Sequence, residues 1–252
     1  GGFAGINYGN EDDDDLGSIS DCYATGSVNG DVEDIGGFTG LNDEYGKIED
    51  SYSSGKVNSS SADSVGGFVG KNEYTEDDKN KISACYALGD VRGYNSVGGF
   101  VGINRGYIYS NSYASGSVDG NDHNVGGFVG LNRLNGKIEN CYASGEIDGS
   151  KNRVGGVAGR NNGNIDSCQY KGEKVTGLSG IGLIVGYNEG TCVELSEDPS
   201  GEISLSEISV STELCGVAAD GEVTAGDSFD INIKLNDMQS KAVPLEFPVT
   251  IE

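Results

Sequence analysis

A phrase that opens on two glycines and an aromatic residue returns along this chain every 27–35 residues. Its fullest form, "GGFVGLNRLNGKIENCYASGEIDG", runs from Gly126 to Gly149. Other copies open at Gly1, Gly36, Gly66, Gly98, Gly155 and, most worn, Gly182. A unit of this length is one supersecondary element that cannot bury its own apolar face, whereas stacked copies bury it together. A glycine every few residues rules out helical units, because each costs about 1 kcal/mol in a helix interior. The pieces between glycines, such as "GFVG", "KIENCYASG" and "GEI", read as three short strands per coil joined by tight bends. The expected fold is all-β, a right-handed parallel β-solenoid of about seven coils. Its rod is on the order of 34 Å long from the strand spacing.

In a solenoid each position recurs directly above itself, so aligned copies read as columns. Phe3, Phe38, Phe68, Phe100 and Phe128 form an aromatic column that ends in Val157 and Ile184. Ile19, Ile48, Ile82, Ile108, Ile138 and Ile165 form an aliphatic one, and both belong in the core. Cys22, Ser51, Cys85, Ser112, Cys141 and Cys168 are small side chains at a crowded interior corner, with Tyr23, Tyr52, Tyr86, Tyr113 and Tyr142 beside it. Asn7, Asn42, Asn72, Asn104, Asn132, Asn161 and Asn188 occur in every copy. A buried turn of stacked amides, each bonded to backbone and to the next amide, explains that constancy. The glycine pairs fit bends where a Cβ would clash or where φ must be positive. Ile138 and Cys141 are three residues apart and cannot share a face of one straight strand, so a bend or bulge lies between them.

The cysteine column also accepts serine, so its thiols read as buried small groups. The alternative is a disulfide between Cys141 and Cys168 in adjacent coils, a stacking that rarely offers the required dihedral. Cys192 and Cys215 fall beyond the regular repeats and are candidates for a disulfide closing the C-terminal end of the solenoid. The repeat region is assigned to residues 1–194. Residues 195–252 read as a different element, since Phe229, Ile231, Ile233 and Leu235 alternate with polar residues, as do Leu245, Phe247, Val249 and Ile251. That is a short antiparallel β segment: a cap, part of an Ig-like module, or a strand donated to another molecule. The chain opens on Gly1 in mid-array, as a processed or partial chain does.

The formal net charge is −24, which disfavours nucleic acid and anionic membranes as partners and favours cations and positively charged partners. No apolar run is long enough to span a membrane as a helix. Acidic residues concentrate where copies differ in length, as in "NEDDDDLG" and "EYTEDDKN". Such insertions read as solvated loops. Asp12, Asp13, Asp14 and Asp15 are the candidate ligands for Ca²⁺, a hard cation that prefers oxygen donors. One histidine, His123, supports no nucleophile–base set, and there is no zinc-protease motif. No catalytic and no cofactor-binding residue is assigned. Arg105 and Arg133 share a column position in adjacent coils, open to an acidic glycan or to surface ion pairing.

The unit G-G-F-x-G-x-N-x-G-x-I-x-x-C-Y-A-S-G-x-V resembles the GLUG repeat of bacterial and archaeal surface proteins. The match is nearly letter for letter over Gly126 to Ile147 and looser from Gly1 to about Gly190. The resemblance implies a stalk or binding surface in a secreted or wall-anchored protein. It carries no catalytic residues over to this chain. The expected function is therefore a non-enzymatic, adhesin-like module at the cell surface, with a protein or glycan ligand. The alternatives are a subunit of an extracellular filament, binding copies of itself, and a polysaccharide-acting β-helix enzyme.

Overall fold

The computed structural model describes residues 1–9, 17–74 and 81–193. The candidate Ca²⁺ ligands Asp12, Asp13, Asp14 and Asp15, the cysteine Cys215 and the 195–252 segment lie outside these residues. Among the described residues every element is a β-strand, and no helix is long and apolar enough to cross a membrane. All strand pairs are parallel, and each joins one repeat to the next in homologous register: Asn42 lies over Asn72, Asn72 over Asn104, and Asn104 over Asn132. The chain is a parallel β-solenoid.

Two expectations are refined. Each turn holds five short strands, not three; the second turn has Ile35–Gly36, Thr39–Asn42, Lys47–Glu49, Tyr52–Ser53 and Val57–Asn58. The described ladder makes six complete turns and begins a seventh, because two of the five sheets have seven strands and the others six.

The glycine pair produces the extra break. A Cβ on the first glycine of the pair, at Gly36, Gly66, Gly98, Gly126, Gly155 or Gly182, would lie 2.0–2.1 Å from a carbonyl oxygen three residues on in the same turn. A Cβ on the second, at Gly37, Gly67, Gly99, Gly127 or Gly156, would lie 2.0–2.2 Å from a carbonyl oxygen of the next turn. One glycine lets the chain bend and the other lets the turns stack. Clash, rather than positive φ, is the reason for both: Gly180 is the one described glycine with positive φ.

Positive φ is used at a different corner. Asp21, Asp50, Ala84, Asn111, Asn140 and Ser167 all have φ between 46° and 57°, one in each turn. This is the bend between the isoleucine and cysteine columns. Asp and Asn hold four of the six places, as their tolerance of the left-handed region predicts. The next side chain closes the corner. Ser51 Oγ donates to Glu49 O at 2.7 Å, and the Cys85 and Cys141 thiols donate to Ser83 O and Glu139 O, both at 3.1 Å. Serine and cysteine interchange here because the position needs a small side chain with one donatable proton.

The interior is packed as two strips. The first holds the stacked phenylalanines, the isoleucine column and the alanine and cysteine corners. Phe38, Phe68, Phe100 and Phe128 are fully buried, with successive ring centroids 4.7–5.0 Å apart. The second strip is a pair of β-branched columns that the sequence reading did not assign to the core. One is Val57, Val91, Val118 and Ile147, and the other Ile35, Val65, Val97, Val125 and Val154. In the sixth turn the aromatic column shrinks to Val157, while Tyr170 takes the alanine position and packs against both strips.

Candidate functional site

The invariant residues face inward and are structural. From Asn7 to Asn188, seven asparagines form an unbroken chain in which each Nδ2 donates to the next Oδ1 at 2.8–2.9 Å. The second amide proton goes to a carbonyl of the adjoining turn or loop, as from Asn104 to Gly106 O and from Asn132 to Gly136 O, both at 3.1 Å. Those side chains are fully occupied by one another. Cys85, Cys141 and Cys168 are buried free thiols, so adjacent Cys141 and Cys168 are not bridged. Burial pushes the Cys85 thiol up to about 12 and raises Cys141 as well. Neither is a nucleophile at neutral pH. Cys192, expected beyond the regular repeats, lies inside the ladder, paired with Ile165 in the last described strand, Thr191–Val193. Its side chain packs on the isoleucine side of the core. The disulfide considered for it involves Cys215, which lies outside the described residues. Among the described residues no three His, Cys, Asp or Glu side chains gather as a metal site.

The side chains open to another molecule are those of the outward columns. The tyrosines that seemed to flank an interior corner in fact point outward, stacked along one flank of the rod. Tyr23 and Tyr52 are 5.4 Å apart, Tyr113 and Tyr142 4.9 Å, and the Lys171 ammonium lies 4.4 Å from the Tyr142 ring centroid. A ring stacked on both faces offers only its edge and hydroxyl to a ligand, so this stripe is a poor platform for sugar stacking.

A second flank is concave. Between the conserved-position asparagine and the glycine that opens the next strand, turns differ in length. The fourth turn has one residue there, Arg105, and the sixth also one, Asn162. The fifth has three, Arg133, Leu134 and Asn135, closed by a hydrogen bond from Gly136 N to Arg133 O at 2.8 Å. The longer fifth-turn loop overhangs its shorter neighbours, and Leu134 at its tip is 76% exposed. The result is a depression of about 520 Å³, reaching from Glu73 and Tyr74 in the third turn across Arg105 and Leu131 to Arg160 in the sixth. Its size is that of a small-ligand cleft.

Its electrostatics run against the rest of the molecule. Arg105 Nη1 lies 3.1 Å from Glu73 Oε2, and Lys71 Nζ lies 2.5 Å from Glu73 Oε1. Burial alone would raise the Glu73 carboxyl, but Lys71 and Arg105 outweigh it and hold the group below the usual carboxylate range. Arg160 Nη2 lies 2.6 Å from Glu189 Oε2, and Asn162 also donates to that oxygen. Hydrogen bonds from Arg160, Asn162 and Tyr187 hold Glu189 below its ordinary value. Arg160 Nε is buried and has no hydrogen-bond partner among the described residues. Arg133 has no carboxylate partner among the described residues. Among the described residues that line the depression, three arginines face one carboxylate, Glu73, in a chain of net charge −24. The sequence placed Arg105 and Arg133 in one column. It missed Arg160, which sits one position before its asparagine, and it missed the loop overhang. The number of residues between each asparagine and the following glycine was the signal that would have revealed it.

Fold and ladders define a repeat protein with one repeat per solenoid turn. The family comparison matches the GLUG motif at residues 1–29, 32–58 and 121–148, so the chain carries GLUG repeats. The turns between these matches keep the same Phe, Asn and Ile ladders. No curated protein and no solved structure matches the chain.

Proposed function

We propose that this chain is a non-enzymatic extracellular module, an adhesin-like stalk that also presents a binding surface on its flank. The observation that carries the reading is the division of labour across the turn. Invariant side chains bond to their own copies above and below, while the outward loops vary in length and form one arginine-lined depression. A rod held together by internal ladders tolerates such variation, because each turn contacts only its neighbours. Its acidic surface keeps it soluble.

The test is direct. Protease shaving of intact source cells should release peptides from this chain, and the purified protein should retain ligands on glycan and protein arrays without consuming them. Peptides recovered only after lysis would overturn the extracellular placement. New reducing ends generated from a polysaccharide panel would favour the enzyme reading. Assembly that grows with concentration in light scattering would favour the filament subunit.

A further inference from the structure

We propose that the depression over turns three to six binds a terminal carboxylated sugar on an otherwise neutral glycan, with Arg133 taking the carboxylate. The proposal rests on the reading of this chain as a binding module and names the ligand class of that site.

Four features point to this chemistry. Arg133 is exposed at the cleft and lacks a carboxylate partner among the described residues, whereas Arg105 and Arg160 are each held by a glutamate. A guanidinium offers a carboxylate two parallel N–H bonds in a fixed fork. Arg160, held by Glu189 and lying over the Tyr187 ring, lines the same depression and sets a second guanidinium beside it. Leu131 and Leu134 give the cleft apolar wall beside its polar groups, as the C–H face of a pyranose requires, and the Asn135 amide adds a donor and an acceptor for hydroxyls. Charge then sets the kind of glycan. The surrounding field of a −24 chain repels a polyanion such as a polyuronate or a nucleic acid, while a single carboxylate at a chain end can reach the three arginines that line the depression. Glu73 and Glu189 are already satisfied by Lys71, Arg105 and Arg160, so they hold the arginines in place and leave Arg133 for the ligand.

The experiment titrates the full chain with lactose, with lactose ending in sialic acid, with the methyl ester of that sugar, and with lactose ending in glucuronic acid. Binding is read by calorimetry and by the arginine Nε–H signals in an NMR spectrum. The expected result is binding of one or both carboxylated sugars, at least tenfold weaker binding of the ester and of lactose, and shifts at Arg133 and Arg160. The two acidic arms identify which sugar is the source of the carboxylate. Arg133→Gln should weaken binding about tenfold or more, and Arg133→Lys should restore part of it, since the charge returns without the fork. Arg133 sits on an exposed loop with no ion pair among the described residues, so both variants should keep the wild-type melting temperature. Equal affinity for acid and ester, or no effect of Arg133→Gln, would overturn the proposal. Array ligands retained undiminished by Arg133→Gln would overturn this site and leave the binding-module reading standing. An empty array for both proteins would remove both.

Discussion

Two stacks of aromatic rings run side by side along this rod, and only one is buried. Phe68, Phe100 and Phe128 stand 4.7–5.0 Å apart with no exposure. Tyr86, Tyr113 and Tyr142 stand 4.6–4.9 Å apart on the outer flank, partly in water. The ring spacing is nearly the same because both stacks inherit it from the parallel backbone, whose strands lie about 4.8 Å apart. Stacking is therefore a consequence of register and does not by itself measure stability. What distinguishes the two stacks is removal from water, and substitutions in equivalent places should separate the two contributions.

The largest effect is expected inside. Phe100→Ala removes a fully buried ring from between two others, and buried Phe→Ala costs about 3–5 kcal/mol. The loss is read by urea unfolding. Nearest-neighbour coupling between turns adds a second readout: hydrogen exchange should rise first in the third to fifth turns. A cost equal to that of an outer tyrosine would erase the distinction between the stacks.

Next comes the amide chain, which is inside but polar. Asn104 accepts from Asn72 at 2.9 Å and donates to Asn132 at 2.9 Å and to Gly106 O at 3.1 Å. Asn104→Ala strands buried groups on both sides, at about 1–3 kcal/mol for each one left unsatisfied. Asn104→Asp keeps the shape but cannot donate twice, and as a carboxylate it is a buried charge. Burial raises its folded pKa above the unfolded value, so the variant is most stable below about pH 4 and loses stability as pH rises. Parallel denaturation series at pH 4 and pH 7 check this, and an Asn104→Asp chain insensitive to pH would place water in the amide channel.

The inner columns were also the legible ones. Phe, Ile and Asn recur because a copy directly above dictates what fits, so the sequence displays the packing requirement at each place. The second core strip was written just as clearly in Val57, Val91 and Val118, yet a single valine after a polar residue carries little signal unless the columns are aligned. The bend between Ile138 and Cys141 was expected, but its place at Asn140 was hidden because it is defined by backbone conformation, and Asp, Asn, Ala and Ser all adopt it there. Cys192 was read as lying beyond the repeats because cysteine stands where the other turns have isoleucine, although Asn188 and Gly190 keep the spacing that marks the place. The cleft was the least legible feature, since it arises from a difference in loop length between turns and from arginines in two columns.

The thiol corner tests the inner class at intermediate size. The Cys85 thiol is raised to about 12 by burial, against 9.0 for an ordinary thiol. A raised pKa means that the folded chain holds its proton where the unfolded chain has lost it. This stability is fully present below about pH 9 and falls by about 1.4 kcal/mol for each pH unit toward 12. Cys85→Ser should remove that pH-dependent part at little cost near neutrality, because Ser51 and Ser112 hold the same corner in the adjoining turns. The difference between wild type and Cys85→Ser at pH 10 and 11 is the quantity to measure. Rapid reaction of Cys85 with an aromatic disulfide at pH 7 would contradict its burial.

The smallest effect is expected at the outer stack. Tyr113 lies between Tyr86 and Tyr142, so Tyr113→Ala removes two ring contacts, as Phe100→Ala does. An aromatic pair contributes about 0.5–1.5 kcal/mol beyond the area it buries, and little area is buried here. The expected loss is therefore about 1 kcal/mol, several times less than for Phe100→Ala. Tyr113→Phe keeps the stack and removes only a solvent-facing hydroxyl, so it should be neutral within about 0.5 kcal/mol. The comparison sharpens if Tyr113→Ala and Tyr113→Phe differ while both stay far below Phe100→Ala, because the ring contacts would then be measured apart from burial. It breaks if Tyr113→Ala unfolds the chain as readily as Phe100→Ala. The outer tyrosines would then be part of the rod's framework, and only the arginine-lined flank would remain as a surface free to evolve.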